Sequence, residues 1–250
     1  MTREEGITLE ASRSFSCAAE AGGAIVLGVP EAPDSPMLNR VVGLGVERPA
    51  TEVDVDEALA AIGAGVIFYG AVAPGARPVE LPAWLRARGL EPGWGWMVFR
   101  RGLQDPPSAE TSLRLIEIDG PDEAAAFSRV VRLSYGLPEA IEQRLARVPD
   151  SGWLCWLAID GDEPAGAGAL YAAHGVAYLG LAGTLPEHRG KGAQNALLAA
   201  RIRRAAELDC DLVITETGER RDDRPSNSYR NIVRAGFRED LLTANWLGRS

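Results

Sequence analysis

Apolar and polar positions in the second half of the chain predict a sheet covered by helices. Alternating or continuous apolar stretches are typical of strands, and apolar residues three and four apart are typical of helices. Proline in a first turn and glycine after a last turn mark several helix bounds. The predicted strands are 113–118, 153–159, 164–172, 176–184, 212–217 and 241–247, and the predicted helices are 121–134, 138–148, 190–208 and 226–235.

The order of these elements predicts an α+β fold and not a regular alternation of strand and helix. Asp160-Gly161-Asp162 is a hairpin signal, so the strands on either side of it should be antiparallel. We therefore predict a mixed, mostly antiparallel central sheet flanked by helices. In the longest helix, Leu198 and Ile202 share an apolar face, and we expect Arg201 to lie mostly off that face.

A polar, proline-bearing segment at 104–111 has no periodicity and is typical of a linker. We therefore place one domain at 1–108 and a second at 109–250. The first part resembles the second in places, which favours an internal duplication, although two units could share apolar patterns by chance. The similar segments are 38–45 and 177–184, 59–61 and 198–200, and 84–90 and 231–237.

Composition narrows the function further. The formal net charge of −9 disfavours binding to nucleic acid or to anionic membranes. No stretch approaches the ~20 apolar residues that a membrane-spanning helix needs. The first residues are polar and lead into no apolar signal segment. The whole chain has 3 cysteines and 2 histidines, and these form no metal-binding pattern. We therefore expect a cytoplasmic protein without structural zinc.

The turn from Arg189 to Gln194 carries the clearest chemical signal. It follows a strand and begins a helix, so unpaired backbone N–H groups, the helix dipole and two cationic side chains converge there. Such a turn suits a phosphate or pyrophosphate. The P-loop pattern fails because Leu185 and Gly192 stand at two of its required positions, and the dinucleotide fingerprint fails at Tyr171. The alternative is a plain surface turn.

This turn resembles the coenzyme A-binding motif R/Q-x-x-G-x-G/A of the GNAT superfamily of N-acetyltransferases. Arg189, Gly192 and Gln194 occupy its defined positions, although Gln194 replaces the usual small residue. A second family feature, an asparagine shortly before Gly-Phe, is matched by Asn231 and Gly236-Phe237. The resemblance covers about residues 112–250 and implies a GNAT-like fold.

The resemblance also implies where acetyl-CoA binds as cosubstrate. Backbone N–H groups of the turn, including those of Gly190, Lys191 and Ala193, would bind the pyrophosphate, and Asn231 belongs to the same site. The pantetheine arm would pair with the strand that contains Ala182, Gly183 and Thr184. In the family this strand splays from the next one, here 213–217, and the thioester enters the gap.

The first half would be a degenerate GNAT-like repeat. Its counterpart of the turn, residues 46–54, has no glycine, and Glu52 and Asp54 would repel phosphate. We expect no coenzyme A site in this half, whose role would be structural or would be to line the acceptor site.

Direct acetyl transfer needs a base for the amine and an acid for the leaving thiolate. Glu216, near the expected splay, is the candidate base. Many family members have an acid tyrosine four residues before the glycine of Gly-Phe, but that position is Ile232 here. Tyr229 is therefore the candidate acid, and Tyr178 is an alternative. A backbone N–H near Thr184 would stabilise the oxyanion.

We therefore predict an N-acetyltransferase that moves acetyl from acetyl-CoA to a primary amine of a small molecule or peptide in a ternary complex. It would act as a monomer or homodimer without a nucleic acid or membrane partner. A non-catalytic acyl-CoA sensor or interaction module is the alternative, and a nucleotide-binding enzyme of another family is a third reading.

Overall fold

The computed structural model describes residues 3–223 and 227–250. The helices are α1 (Arg3–Phe15), α2 (Glu52–Ala60), α3 (Leu81–Ala87), α4 (Pro121–Tyr135), α5 (Glu142–Ala146), α6 (Ala193–Glu207) and α7 (Asn227–Arg234). The strands are β1 (Cys17–Ala21), β2 (Ala24–Gly28), β3 (Arg40–Val42), β4 (Ile67–Val72), β5 (Glu91–Pro92), β6 (Trp96–Arg101), β7 (Arg114–Glu117), β8 (Trp153–Asp160), β9 (Glu163–Ala173), β10 (Val176–Thr184), β11 (Leu212–Gly218) and β12 (Arg238–Arg249). Short 3₁₀ helices lie at Glu139–Ile141, Pro149–Ser151 and Pro186–His188.

The described chain divides into two compact units, each built from separate stretches of sequence. The first unit contains residues 16–98 and 241–250, and the second contains residues 3–15 and 99–240. The linker suggested a continuous division at residue 108, whereas each of these units joins two separate stretches of the chain. Two local interactions explain the difference: α1 packs on the sheet of the second unit, and residues 244–249 of β12 pair with β4 in the first.

The sheet of the second unit runs in the order β7-β8-β9-β10-β11. Neighbouring strands are antiparallel except for β10 and β11, which are parallel. Helix α6 packs on the face to which Gly166 and Gly168 of β9 belong. Helix α1 covers the opposite face, where Ile7 contacts Val176 and Ile214. Each sheet face is thus closed by at least one amphipathic helix.

In the first unit, too, antiparallel pairs are followed by one parallel pair. Strands β1, β2 and β3 are antiparallel neighbours, and β3 is parallel to β4 after the intervening helix α2. Strand β12 then pairs with β4 and with β5. The core of this unit includes Val41, Val55, Phe68 and Leu85.

Most of the predicted elements of the second unit are present, and three predictions need correction. The stretch 138–148 is not one helix but a 3₁₀ turn followed by the short α5. The long helix begins at Ala193, not at 190, because Gly190 and Gly192 both have φ of +84°. Arg201 is buried, with 1% of its surface exposed, although its sequence position favoured an outward direction. Ser226, the predicted start of the last helix, lies outside the described residues.

Helix α1 has no counterpart in the sequence prediction. Its Ile7, Ala11 and Phe15 lie four residues apart and are buried in the second unit. In the part of the chain that the structure describes, no helix is long and apolar enough to cross a membrane.

Candidate active site

The turn between β10 and α6 is shaped by two glycines in the left-handed region. Gly192 is the N-cap of α6 and has φ of +84°, and no side chain caps this helix. The first backbone N–H groups, from Ala193 and Gln194 onward, therefore have no partner within the helix and no capping side chain. A helix start of this kind offers hydrogen-bond donors and partial positive charge to an anion.

Neighbouring chain holds the turn in place. The Thr111 hydroxyl donates a hydrogen bond of 2.7 Å to the carbonyl oxygen of Lys191. A Cβ at Gly192 would lie 2.8 Å from the carbonyl oxygen of Glu110. Both the positive φ and this close approach therefore require glycine at position 192.

The cations of the turn differ in their partners. Asp160, at the hairpin between β8 and β9, accepts hydrogen bonds from Lys191 and from His188 Nδ1. These bonds, that of Lys191 first, hold the pKa of the Asp160 carboxyl below its ordinary value. Arg189 is exposed, and among the described residues its side chain has no ion pair or hydrogen bond. Arg189 is therefore the cation of the turn that can reach a ligand without breaking an ion pair.

Strands β10 and β11 pair over only part of their length. Their parallel register joins 176–179 to 212–215, with Leu179 and Thr215 as the last pair. Both strands continue beyond it, to Thr184 and Gly218. The backbone of 180–184 is therefore not paired with β11. The resemblance implied that the two strands separate in this region.

A bulge lies in this unpaired part of β10. The register between β10 and β9 shifts between Gly180 and Gly183, and Leu181 has φ of +47°. A positive φ at a leucine is unusual, so the surrounding structure must hold the bulge. The Tyr135 hydroxyl, at the end of α4, donates a hydrogen bond of 3.1 Å to the carbonyl oxygen of Ala182. Burial of that hydroxyl raises the pKa of Tyr135.

Two hydroxyl groups beside the bulge lack partners. A Cβ at Gly183 would overlap the side chain of Ser134, so α4 approaches the strand closely there. Within the described residues, Ser134 Oγ and Thr184 Oγ1 are both buried without a hydrogen-bond partner. Buried polar atoms are normally paired, so these two are suited to a ligand that carries its own polar groups.

Glu216 of β11 lies one residue beyond the last β10–β11 pair. The Tyr178 hydroxyl donates a hydrogen bond of 2.9 Å to Glu216 Oε1. Tyr178 in turn packs edge-to-face on Trp153, with ring centroids 5.8 Å apart. The predicted base and the alternative acid are thus joined directly.

The other two predicted residues lie on or near α7. The Tyr229 hydroxyl donates to a carboxylate oxygen of Glu239, and its ring meets Phe99 edge-to-face at 5.0 Å. Asn231 is half-buried, and no described residue bonds to its side chain. The two predicted catalytic groups thus have different hydrogen-bond partners, Glu239 for Tyr229 and Tyr178 for Glu216.

Sequence reasoning missed the residues that hold the bulge and the turn, namely Thr111, Ser134, Tyr135 and Asp160. Only Gly183 gave a signal, because a glycine in an apolar strand marks a close approach of another segment. The side chains that make such an approach come from distant parts of the sequence. Among the described residues there is no cluster of three or more metal-binding side chains.

Comparison with known proteins gives a consistent picture. The sequence model of the family described as "Acetyltransferase (GNAT) family" matches residues 121–227, from the start of α4 to the first residue of α7. The match includes Glu216 and the whole glycine turn, and it ends before Tyr229 and Asn231. No curated protein matches the chain.

Several solved structures are similar over most of the chain. A GCN5-related N-acetyltransferase from Kribbella flavida is 20% identical with a TM-score of 0.69, covering 99% of this chain and 95% of its own. A GCN5-related N-acetyltransferase from Sphaerobacter thermophilus is 16% identical with a TM-score of 0.69, covering 99% and 85%. A protein described as a tandem GNAT protein from the clavulanic acid biosynthesis pathway is 17% identical with a TM-score of 0.58, covering 90% and 78%.

At these identities the structural likeness establishes the fold alone. The family model covers strands β8 to β11, including the parallel pair β10–β11, and the glycine turn. The chain has the α+β fold of the GNAT acetyltransferases.

Proposed function

We propose that the protein is an acetyl-CoA-dependent N-acyltransferase that acetylates a primary amine of a small molecule or peptide by direct transfer. One observation carries the proposal: the stretch of β10 that β11 leaves unpaired leads directly into a glycine turn with an uncapped helix start. The GNAT family is one of acyl transfer from acyl-CoA, and this continuous backbone surface suits an extended arm that ends in a pyrophosphate.

The residues present fit acetyl-CoA. Backbone N–H groups of 189–194 would bind the pyrophosphate, with the exposed Arg189 adding a whole charge. The backbone of Ala182 and Gly183 would pair with the arm, and the orphan hydroxyls of Ser134 and Thr184 would find partners on it. Asn231, whose side chain has no partner among the described residues, would also contact acetyl-CoA. When bound, acetyl-CoA supplies an acetyl group activated as a thioester.

Glu216 is the proposed general base. A carboxylate beside the splay can accept the proton of the acceptor ammonium and leave the neutral amine that attacks. The hydrogen bond from Tyr178 to one carboxylate oxygen fixes the orientation of this carboxylate. A backbone N–H near Thr184 would stabilise the oxyanion.

Tyr229 is the proposed proton donor to the leaving thiolate. Its hydroxyl already donates to Glu239, so it would have to exchange that partner for the thiolate. Tyr135 and Tyr178 are the comparison residues, because their hydroxyls lie at the bulge and at Glu216. Separate substitution of the three tyrosines by phenylalanine identifies the donor as the variant whose kcat falls most.

Direct transfer is favoured over an acyl-cysteine intermediate. Burial raises the pKa of the Cys155 thiol to about 12, so it is neutral at physiological pH and a poor nucleophile. Burial also raises the pKa of Cys210. The second unit therefore offers no reactive thiolate among these two cysteines.

We propose that the first unit is a degenerate GNAT-like repeat without a coenzyme A site. At the start of α2, the Asp54 carboxylate already accepts hydrogen bonds from the Thr51 backbone, the Thr51 hydroxyl and both ends of the Arg48 guanidinium. An anion of the protein itself thus takes the place that a phosphate would need. The shared pairing pattern of the two units supports the tandem arrangement. We propose a cytoplasmic monomer or homodimer.

A second candidate is a non-catalytic acyl-CoA-binding sensor or interaction module. The engagement of Tyr229 by Glu239 favours it, because the predicted acid is then not free to donate. This candidate predicts coenzyme A binding without transfer to any amine.

A thiol-release assay with acetyl-CoA and a panel of primary amines separates the two candidates. We expect release that depends on one class of amine. Glu216→Gln should lower kcat by about 10²–10⁴-fold, while the exposed Glu163→Gln, at the hairpin, should leave it unchanged. Coenzyme A binding without release for any amine would favour the sensor, and equal rates for both variants would exclude Glu216 as the base.

A further inference from the structure

Arg201 of α6 is a buried cation that belongs neither to the glycine turn nor to the proposed catalytic groups. Its side chain is 1% exposed. Nε donates to the carbonyl oxygen of Leu197 at 3.0 Å, and Nη1 donates to those of Ala169 at 3.1 Å and Gly180 at 3.3 Å. In the part of the chain that the structure describes, no carboxylate pairs with it. Backbone carbonyl groups alone therefore stabilise this charge.

The two strand carbonyls that Arg201 binds lie at a particular place. Ala169 and Gly180 are cross-strand partners in β9 and β10, and they form the last regular pair before the register shifts into the bulge. One guanidinium nitrogen therefore joins both strands at the point where regular pairing stops. The bulge is fixed from this face by α6, and from the other by Ser134 and Tyr135 of α4.

A glycine provides the space for this arrangement. A Cβ at Gly168 would lie 2.9 Å from Arg201 Cζ and 3.1 Å from its Nε. Gly168 belongs to the Gly166-Ala167-Gly168 stretch that failed as a dinucleotide fingerprint. The structure gives these glycines a packing role, because Gly166 faces Ala193 and Leu197 of the same helix.

Arg201 also links two ends of the proposed site. Its helix begins at Gly192, the cap of the glycine turn, and its guanidinium ends at the bulge. We propose, on the basis of the proposed function, that Arg201 is a positioning residue that sets the bulge of β10 and thereby the acyl end of acetyl-CoA relative to its pyrophosphate end.

Burying an arginine is energetically unfavourable, so packing of the helix alone does not explain this residue. Desolvation opposes the buried charge and lowers the pKa of Arg201 to about 10, so the guanidinium is still charged at neutral pH. Well-packed apolar side chains can often replace buried charges without loss of stability. What an apolar side chain cannot do is donate two hydrogen bonds to carbonyl groups on different strands.

The test compares two ligands by calorimetry. Acetyl-CoA reaches both the turn and the bulge, whereas 3′-phosphoadenosine 5′-diphosphate carries the pyrophosphate without the arm. The variants are Arg201→Met, Arg201→Lys and Gly168→Ala, which displaces the guanidinium without removing it. Arg203→Met is the matched control, because Arg203 is exposed on the same helix. Amide hydrogen exchange at 180–184 of the ligand-free protein gives a readout independent of activity.

We expect Arg201→Met to weaken acetyl-CoA binding about tenfold or more, to leave the short nucleotide within twofold, and to speed amide exchange at 180–184. Gly168→Ala should act in the same direction, Arg201→Lys should recover part of the loss, and Arg203→Met should match the wild type. Unchanged acetyl-CoA affinity in Arg201→Met, or equal loss of both ligands in Gly168→Ala, would overturn the proposal. If the wild type binds neither ligand, the proposed function fails instead.

Discussion

At the residue scale, the candidate site depends on side chains that approach the backbone of β10 closely. Gly183 has no room for a Cβ because Ser134 of α4 fills that space. Leu181 is held at positive φ, and the adjacent carbonyl of Ala182 accepts the Tyr135 hydrogen bond. Tertiary contacts, not the local sequence, therefore set the backbone conformation where we expect the acyl group.

The contact between Gly183 and Ser134 can be tested by a double-mutant cycle. Gly183→Ala should destabilise the protein by about 1–3 kcal/mol, because the new methyl group overlaps Ser134. Ser134→Gly alone should cost about 0.5 kcal/mol through helix propensity. In the double variant the two losses should not add, since the overlap is gone, and urea unfolding measures the coupling. Simple additivity would mean that α4 moves away freely.

At the element scale, α1 shows how a helix can belong to a unit from which it is distant in sequence. Its buried stripe covers the face of β10 and β11 that carries Tyr178 and Glu216. Arg3 adds one ion pair, with Asp211. The helix therefore closes the sheet face beside the proposed base.

Ile7→Ala tests this packing. Ile7 is 1% exposed against Val176 and Ile214, so truncation should lower the free energy of unfolding by about 2–5 kcal/mol. Tryptophan fluorescence can follow the change, because the Trp153 indole donates to Ser14 of α1. Arg13→Ala, at an exposed position of the same helix, should lower stability by less than Ile7→Ala, because contacts of exposed charged side chains contribute little. Equal effects of the two variants would argue against the docked helix.

The start of α2 predicts a pH dependence in the first unit. Hydrogen bonds from Arg48 and Thr51 hold the pKa of the Asp54 carboxyl well below its ordinary value. The stabilisation should therefore be fully present above the unfolded pKa near 4 and should be lost as the pH falls toward the folded value. Asp54→Ala should remove this dependence, measured by unfolding between pH 7 and pH 2. Asp56→Ala, which breaks an exposed pair with Arg88, should have the smaller effect.

The sequence was sufficient for elements whose pattern is local. The strands of the second unit, the hairpin at 160–162 and the glycine turn all follow from residues that stand together in the chain. Helix α1 was not predicted, because its Gly6, Thr8 and serines interrupt the pattern of apolar residues. The burial of Arg201 was not predicted, because a charged helix residue is almost never fully buried. Only the three-dimensional positions of the Ala169 and Gly180 carbonyl groups explain it.

At the scale of the whole molecule, the two units differ at the start of the helix that joins their parallel strands. In the second unit α6 starts without a side-chain cap, and in the first α2 starts with a full capping box made by Thr51 and Asp54. The sequence predicts, from the missing glycines and from Glu52 and Asp54, that the turn of the first unit does not bind phosphate. It could not predict which stretches join each unit, because residues 3–15 and 241–250 find their partners far away in the sequence.

The central claim is that the glycine turn of the second unit, and not the start of α2, binds the cosubstrate. Calorimetric titration with acetyl-CoA, with ATP and NAD as comparison ligands, tests it most directly. Arg189→Glu is the probe, because this exposed side chain has no described partner to disturb, and the exposed Arg203→Glu is its matched control.

We predict selective binding of acetyl-CoA at about one site per chain, weakened about tenfold or more by Arg189→Glu and unchanged by Arg203→Glu. Absence of binding, equal binding of ATP, or two sites per chain would contradict the account.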